Sequence, residues 1–146
     1  MYTPVVSYSR RDLSLLLPAL AAAKVGAQNQ ALLPSKTYSF PDLPVRASGK
    51  NHQRAVLKGE THSGFPVELH LTELAPGEAP HPPHHHVHEE AIMIFEGTLE
   101  VTIAGRGSAR LGPGSVAYVA SGEEHGWRNV GAGRAHYFVL ALGRDQ

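Results

Sequence analysis

From Tyr38 onward the chain is written in short alternating runs cut by glycine and proline, with no helical period. Val67, Leu69 and Leu71 alternate with Glu68, His70 and Thr72, the period of a half-buried strand. Ala91 to Phe95 is a short apolar run that Gly97 ends. Leu99, Val101 and Ile103 then alternate with Thr98, Glu100 and Thr102, so FEGT reads as a hairpin turn. Gly105 and Gly107 mark the next turn, and 111–115, 121–124 and 131–134 mark three more. Strands are expected at 116–120, 125–130 and 136–142, and PDLP (41–44) reads as an extended linker. Many short strands at near-regular spacing predict an all-β antiparallel sandwich or barrel.

The 146 residues suit one domain. Thirteen basic residues balance thirteen acidic ones, and no basic stripe is present to meet a phosphate backbone; nucleic acid is not an expected partner. The absence of cysteine removes disulfides, thiolate metal sites and cysteine nucleophiles.

The first stretch does not belong to this pattern. Arg10 and Arg11 precede an apolar run from Leu13 to Ala23, too short to span a membrane at roughly 20 residues. Small residues follow, and Val25-Gly26-Ala27 suits a cleavage site before Gln28. Residues 1–27 are therefore expected to be a signal peptide with a twin-arginine-type Ser9-Arg10-Arg11-Asp12-Leu13, followed by an extended arm at 28–50 and a barrel domain at 51–146. The mature protein would then work in the periplasm or outside the cell, without membrane attachment. Retention of residue 1 in exported protein would contradict this.

HPPHHHVHEE, residues 81–90, holds five of the ten histidines. A tract of this kind can chelate metal loosely or form one wall of a built site. Side chains two apart on a strand share a face, which puts His84 and His86 together and His85 opposite. Glu90 has the same parity, but in one straight strand it would lie about 20 Å from His84. Metal–ligand bonds are only about 2.0–2.2 Å long. If His84, His86 and Glu90 hold one ion, the chain must bend between His86 and Glu90. Pro82 and Pro83 keep the approach extended. His125, opening a later strand after Gly122, is the obvious fourth ligand. Three imidazoles and a carboxylate suit one divalent transition metal: Fe, Mn, Ni or Cu, with Zn possible.

These residues resemble the two motifs of the cupin superfamily. Gly77, His84, His86, Glu90 and Gly97 follow the first motif, with one extra residue between Gly77 and His84. Gly114, Gly122, His125 and Asn129 follow the second at every spacing, with Ala120 where the motif has proline. The resemblance spans 77–129 and implies a small jelly-roll β-barrel with its metal in the mouth or interior. It maps the ligands onto His84, His86, Glu90 and His125. Cupins of this type include dioxygenases, decarboxylases, isomerases, lyases and binding proteins.

Other residues have plainer readings. His85 should face solvent, and His81 should lie on the surface or guard an entrance. His88 sits where the chain turns and is only a secondary candidate, for moving a substrate proton. His52, His62, His70 and His136 read as structural, and Tyr118 and Tyr137 as ordinary strand aromatics. Trp127 shares the parity of His125, and with the inward Ile92 and Ile94 it would give a partly apolar pocket. Asn129 should bond loop backbone. Gly97, Gly114 and Gly122 should take positive φ.

The leading expectation is a metal-dependent, dioxygenase-type oxidoreductase acting on a small organic molecule, with Glu90 able to serve as a base. The alternatives are an exported protein that binds metal or a small ligand without turnover, and a non-oxidative lyase, isomerase or decarboxylase. Uncovered edge strands suggest a homodimer, with residues 38–58 open to exchange between protomers.

Overall fold

The structure, a computed structural model, describes residues 32–144. The expected signal segment, 1–27, lies outside them. Nine strands occur among the described residues: β1 (Val45–Ser48), β2 (Asn51–Glu60), β3 (Pro66–Leu74), β4 (Glu89–Glu96), β5 (Leu99–Ile103), β6 (Gly107–Leu111), β7 (Val116–Val119), β8 (His125–Asn129) and β9 (Ala135–Leu142). They form a six-stranded sheet, β1-β2-β3-β9-β4-β7, and a three-stranded sheet, β6-β5-β8. All pairings between these strands are antiparallel.

The two sheets close on a core of Leu74, Ile92, Ile94, Leu99, Val101 and Trp127, with Ala135, Tyr137 and Val139 from β9. Directly opposed residues on neighbouring strands share a face, so the register defines rows across the large sheet. One inward row runs Arg46, Gln53, Thr72, Tyr137, Ile94. The next runs Ala55, His70, Val139, Ile92, Ala117. The third ends on Glu68, Ala141, Glu90, Val119.

The alternation on β3 therefore has an unexpected sense. Its polar set, Glu68, His70 and Thr72, faces the barrel interior. Its apolar set faces outward, where the arm at Lys36–Pro44 borders Leu57 and Leu69. PDLP is not extended throughout: Phe40–Asp42 makes a 3-10 turn. Proline is tolerated at the start of such a turn because its missing N–H is not needed there. β1 lies inside the expected arm, and its register with β2 makes the arm part of the sheet. β1, β2 and β6 were the least visible in sequence because they are edge or outer strands with little apolar alternation; β1 is exposed throughout and β6 nearly so.

Two devices fix the connections. Asn129 is fully buried; its amide donates to the carbonyls of Leu74 and Gly133, and its oxygen accepts from the N–H of Gly131. It ties β8 to the end of β3 and to the turn before β9, as expected. Gly97 has φ +80°, and a Cβ there would stand 2.6 Å from the Ala135 backbone. Gly105 has a similar φ of +74° but open space around it. Gly105→Ala should cost about 1 kcal/mol, from backbone strain alone. Gly97→Ala should cost at least about 2 kcal/mol more, because backbone must move. Urea denaturation of both variants checks this, and equal losses would contradict the close approach.

Candidate metal centre

The segment between β3 and β4 carries the histidine tract, and backbone hydrogen bonds hold it against β8. The N–H of His84 donates to the carbonyl of His125 at 3.0 Å, and the N–H of His125 donates back to His84 at 2.9 Å. The N–H of Gly122 donates to the carbonyl of His86 at 2.9 Å. Gly126 lets the prolines approach: a Cβ there would meet Pro83 at 3.1 Å. The tract thus extends the three-stranded sheet as far as His86. It then crosses to the other sheet, where Glu89 and Glu90 open β4. This crossing is the bend that the sequence required.

The crossing brings the histidines and Glu90 together. One ligand atom from each of His84, His86 and His125 lies within 4.8 Å of the others, and the same holds for His86, His88 and Glu90. Glu90 Oε2 is 2.9 Å from His86 Nε2, 3.8 Å from His88 Nε2 and 4.0 Å from His125 Nε2. His86 belongs to both groups and joins them.

The donor set fits a cation on two grounds. His125 is 1% exposed; its Nδ1–H donates to the carbonyl of Glu123 at 2.9 Å, leaving Nε2 as the lone-pair nitrogen. That Nε2 is buried without a hydrogen-bond partner among the described residues. His86 repeats the arrangement: its Nδ1–H donates to the carbonyl of His88 at 2.7 Å, and its Nε2 faces the Glu90 carboxylate. A neutral imidazole nitrogen and a carboxylate oxygen at that distance repel unless positive charge lies between them. Two ligand atoms about 2.1 Å from one ion and at right angles stand about 3 Å apart. Glu90 itself is 5% exposed, and the ionisable groups within 4 Å of it are imidazoles. A buried carboxylate of this kind needs a compensating charge.

His88 departs from its sequence reading. Its ring stacks on His86 with centroids 3.6 Å apart and planes 10° from parallel. The signal was available: His88 lies two residues before Glu90 and so shares its side. His85 is exposed, as expected, and so is His81, whose ring stands edge-on to His84 at 4.1 Å. Burial lowers the pKa of His84, and the neighbouring His81, His125 and His86 lower it further, against the opposing pull of Glu90.

A cavity of about 290 Å³ leads to Glu90, walled by Trp127, Tyr137, Val139 and Leu74, with Thr72 and His70 on the β3 side. Trp127 is thus a pocket wall. Its Nε1–H donates to the Tyr137 hydroxyl at 2.7 Å. Burial pushes the Tyr137 pKa strongly upward, so the hydroxyl stays protonated. Ile92 and Ile94 point inward as expected but are buried in the core and do not line this cavity. Their cross-strand neighbours Val139 and Tyr137 take its surface instead. Burial also lowers the pKa of His70, with Glu68 and Glu90 opposing. His70 and Tyr137 were missed in sequence because a single histidine or tyrosine on a strand carries no spacing signal.

The lowered pKa keeps His84 neutral, ready to ligate, at a pH where ordinary histidine already takes up protons. An NMR titration of its ring in metal-free protein should give a midpoint below about 6.5. A midpoint at or above that value would contradict the electrostatic picture.

The family model for the cupin domain matches residues 70–141. No curated protein matches the sequence. Among solved structures, the polyketide cyclase RemF from Streptomyces resistomycificus is similar at a TM-score of 0.64 and 20% identity, over 77% of this chain and 82% of that one. The protein TT1209 from Thermus thermophilus gives 0.62 and 26%, over 75% and 99%. A sugar phosphate isomerase of the cupin superfamily from Silicibacter pomeroyi gives 0.60 and 18%, over 75% and 76%. Motif spacing, the two-sheet fold and the family match together place the chain in the cupin superfamily.

Proposed function

We propose that this cupin is a metal-dependent enzyme of the dioxygenase type, acting on a small organic molecule held beside the histidine–glutamate centre. The observation that carries the reading is the position of Glu90. It lines the cavity under Trp127, and it also lines a second cavity of about 350 Å³ bordered by His88, Lys58 and Gly143. Access from two sides suits a reaction that joins an organic substrate to a second, small reactant. His84, His86, His125 and Glu90 would hold Fe, Mn, Ni or Cu, with Zn a possible occupant. Such an ion supplies Lewis acidity toward an enolate or phenolate oxygen and access to one-electron chemistry.

The chain's own residues have separable tasks. Trp127, Tyr137 and Val139 keep bulk water from one side of the centre. Glu90 has two oxygens, so one can ligate while the other takes a proton. His88, 3.8 Å from Oε2, stands where it can pass that proton onward. His70 lines both cavities and offers a neutral imidazole to a bound oxygen.

A non-oxidative isomerase or lyase is the second reading. It is favoured by the reactions for which two similar solved structures are named, a polyketide cyclase and a sugar phosphate isomerase. Both readings need the ion, and only the first needs O₂.

Elemental analysis of the purified protein should find about one of these metals per chain, and His86→Ala/His125→Ala should lose it. An oxygen electrode with a panel of enolic and aromatic substrates should record uptake that His84→Ala abolishes. Metal-dependent turnover without oxygen uptake would move the assignment to the second reading. Full turnover in His84→Ala would overturn both.

Pairing of two copies belongs to the same proposal. On the outer face of the large sheet, Phe95, Val116 and Tyr118 are 45%, 61% and 53% exposed, which supports a covered face in a dimer. Sedimentation equilibrium should give twice the chain mass; a monomer at micromolar concentration would contradict it.

A further inference from the structure

The cavity that leads to Glu90 has a charged rim that the metal centre does not use. Among its lining residues Arg46 is the one arginine or lysine and Glu90 the one carboxylate. Arg46 lies on β1, directly opposite Gln53, which is opposite Thr72, which is opposite Tyr137. The row therefore runs from the buried Trp127–Tyr137 pair to the rim. It places a guanidinium and an amide at the rim, and a hydroxyl and a phenol further in.

Arg46 also stands apart from the other arginines. Arg54 pairs with Glu73, Arg106 with Glu123, Arg110 and Arg128 with Glu100, and Arg144 with Glu60; Arg134 donates to the carbonyl of Lys50. The Arg46 guanidinium alone has no ion pair or hydrogen bond among the described residues. A loaded centre with Glu90 ionised would carry one net positive charge, apart from any further ligands, and Arg46 adds a second. Such a cavity concentrates anions.

Building on the metal-centre reading, we infer that the substrate is a small organic carboxylate, anchored at the rim by Arg46 with help from Gln53. The rest of the molecule lies along Thr72, Tyr137 and Leu74 and brings a second oxygen toward Glu90 and the histidines. Guanidinium meets carboxylate through two parallel N–H donors, a geometry that lysine cannot reproduce. One arginine with one amide suits a planar carboxylate better than a phosphate, which usually gathers several cations or a cradle of backbone N–H groups.

Trp127 is the only tryptophan of the chain and a wall of this cavity, so its fluorescence reports binding there. The probes are levulinate, phenylacetate and longer keto acids, each beside its neutral amide, titrated into nickel-loaded and metal-free protein. At least one acid should bind about tenfold or more tightly than its amide. Arg46→Gln should reduce that acid to the level of the amide and leave amide binding unchanged, while Arg46→Lys should restore part of the preference. Arg46 is exposed and unpaired, so these variants should fold. The inference is overturned if no acid is preferred, if the preference survives in Arg46→Gln, or if inorganic phosphate binds as tightly through Arg46 as the acids do. Nickel uptake without any acid preference would sink this inference and spare the metal centre. An Arg46-dependent preference in protein that takes up no nickel would do the reverse.

Discussion

The site depends on two backbone hydrogen bonds exchanged between His84 and His125. They turn a proline-stiffened loop into an added edge of the three-stranded sheet. They also set two ligand side chains side by side, since directly opposed residues point the same way. Gly126 makes the contact possible by leaving room for Pro83. Without this bridge the histidine tract would be a solvated chelating segment.

The second constraint is the change of sheet between His86 and Glu89. Three imidazoles sit on the small-sheet side of the barrel and the carboxylate on the large-sheet side. An ion held by all four would staple the sheets at the place where Glu90 is buried. The fixed Nδ1–H bonds of His86 and His125 settle in advance which nitrogen faces that place, so little rearrangement is needed on binding. Because a ligand that binds only the folded chain adds to its stability, the centre and the fold support one another.

Much of this was legible in the sequence, for physical reasons. Strands β4, β5, β8 and β9 announce themselves because one face is buried and the other is not. Glycines at 97, 114 and 122 mark turns because each takes positive φ. The ligand spacing was readable because strand parity is strict, and the distance from His84 to Glu90 demanded a bend. What stayed hidden depends on long-range placement. The outward turn of Leu69 and Leu71 depends on the arm covering them. The cavity roles of His70, Tyr137 and Arg46 depend on register across three or four strands, which no local pattern encodes. His88 was discounted because the expected turn hid its two-residue spacing from Glu90.

The interior that results is split in character. Trp127, Leu74 and Val139 give an apolar wall, while β3 and β1 contribute a polar row that ends on a cation. That division orients a molecule with one apolar side and an oxygen at each end, and it places the reacting end at Glu90. The account stands on the claim that the tract is one wall of a single built centre. Anomalous diffraction from crystals of metal-loaded protein tests it most directly. One peak among His84, His86, His125 and Glu90 is the predicted result. Scattered, partly occupied peaks on the exposed His81 and His85, with none beside Glu90, would contradict it.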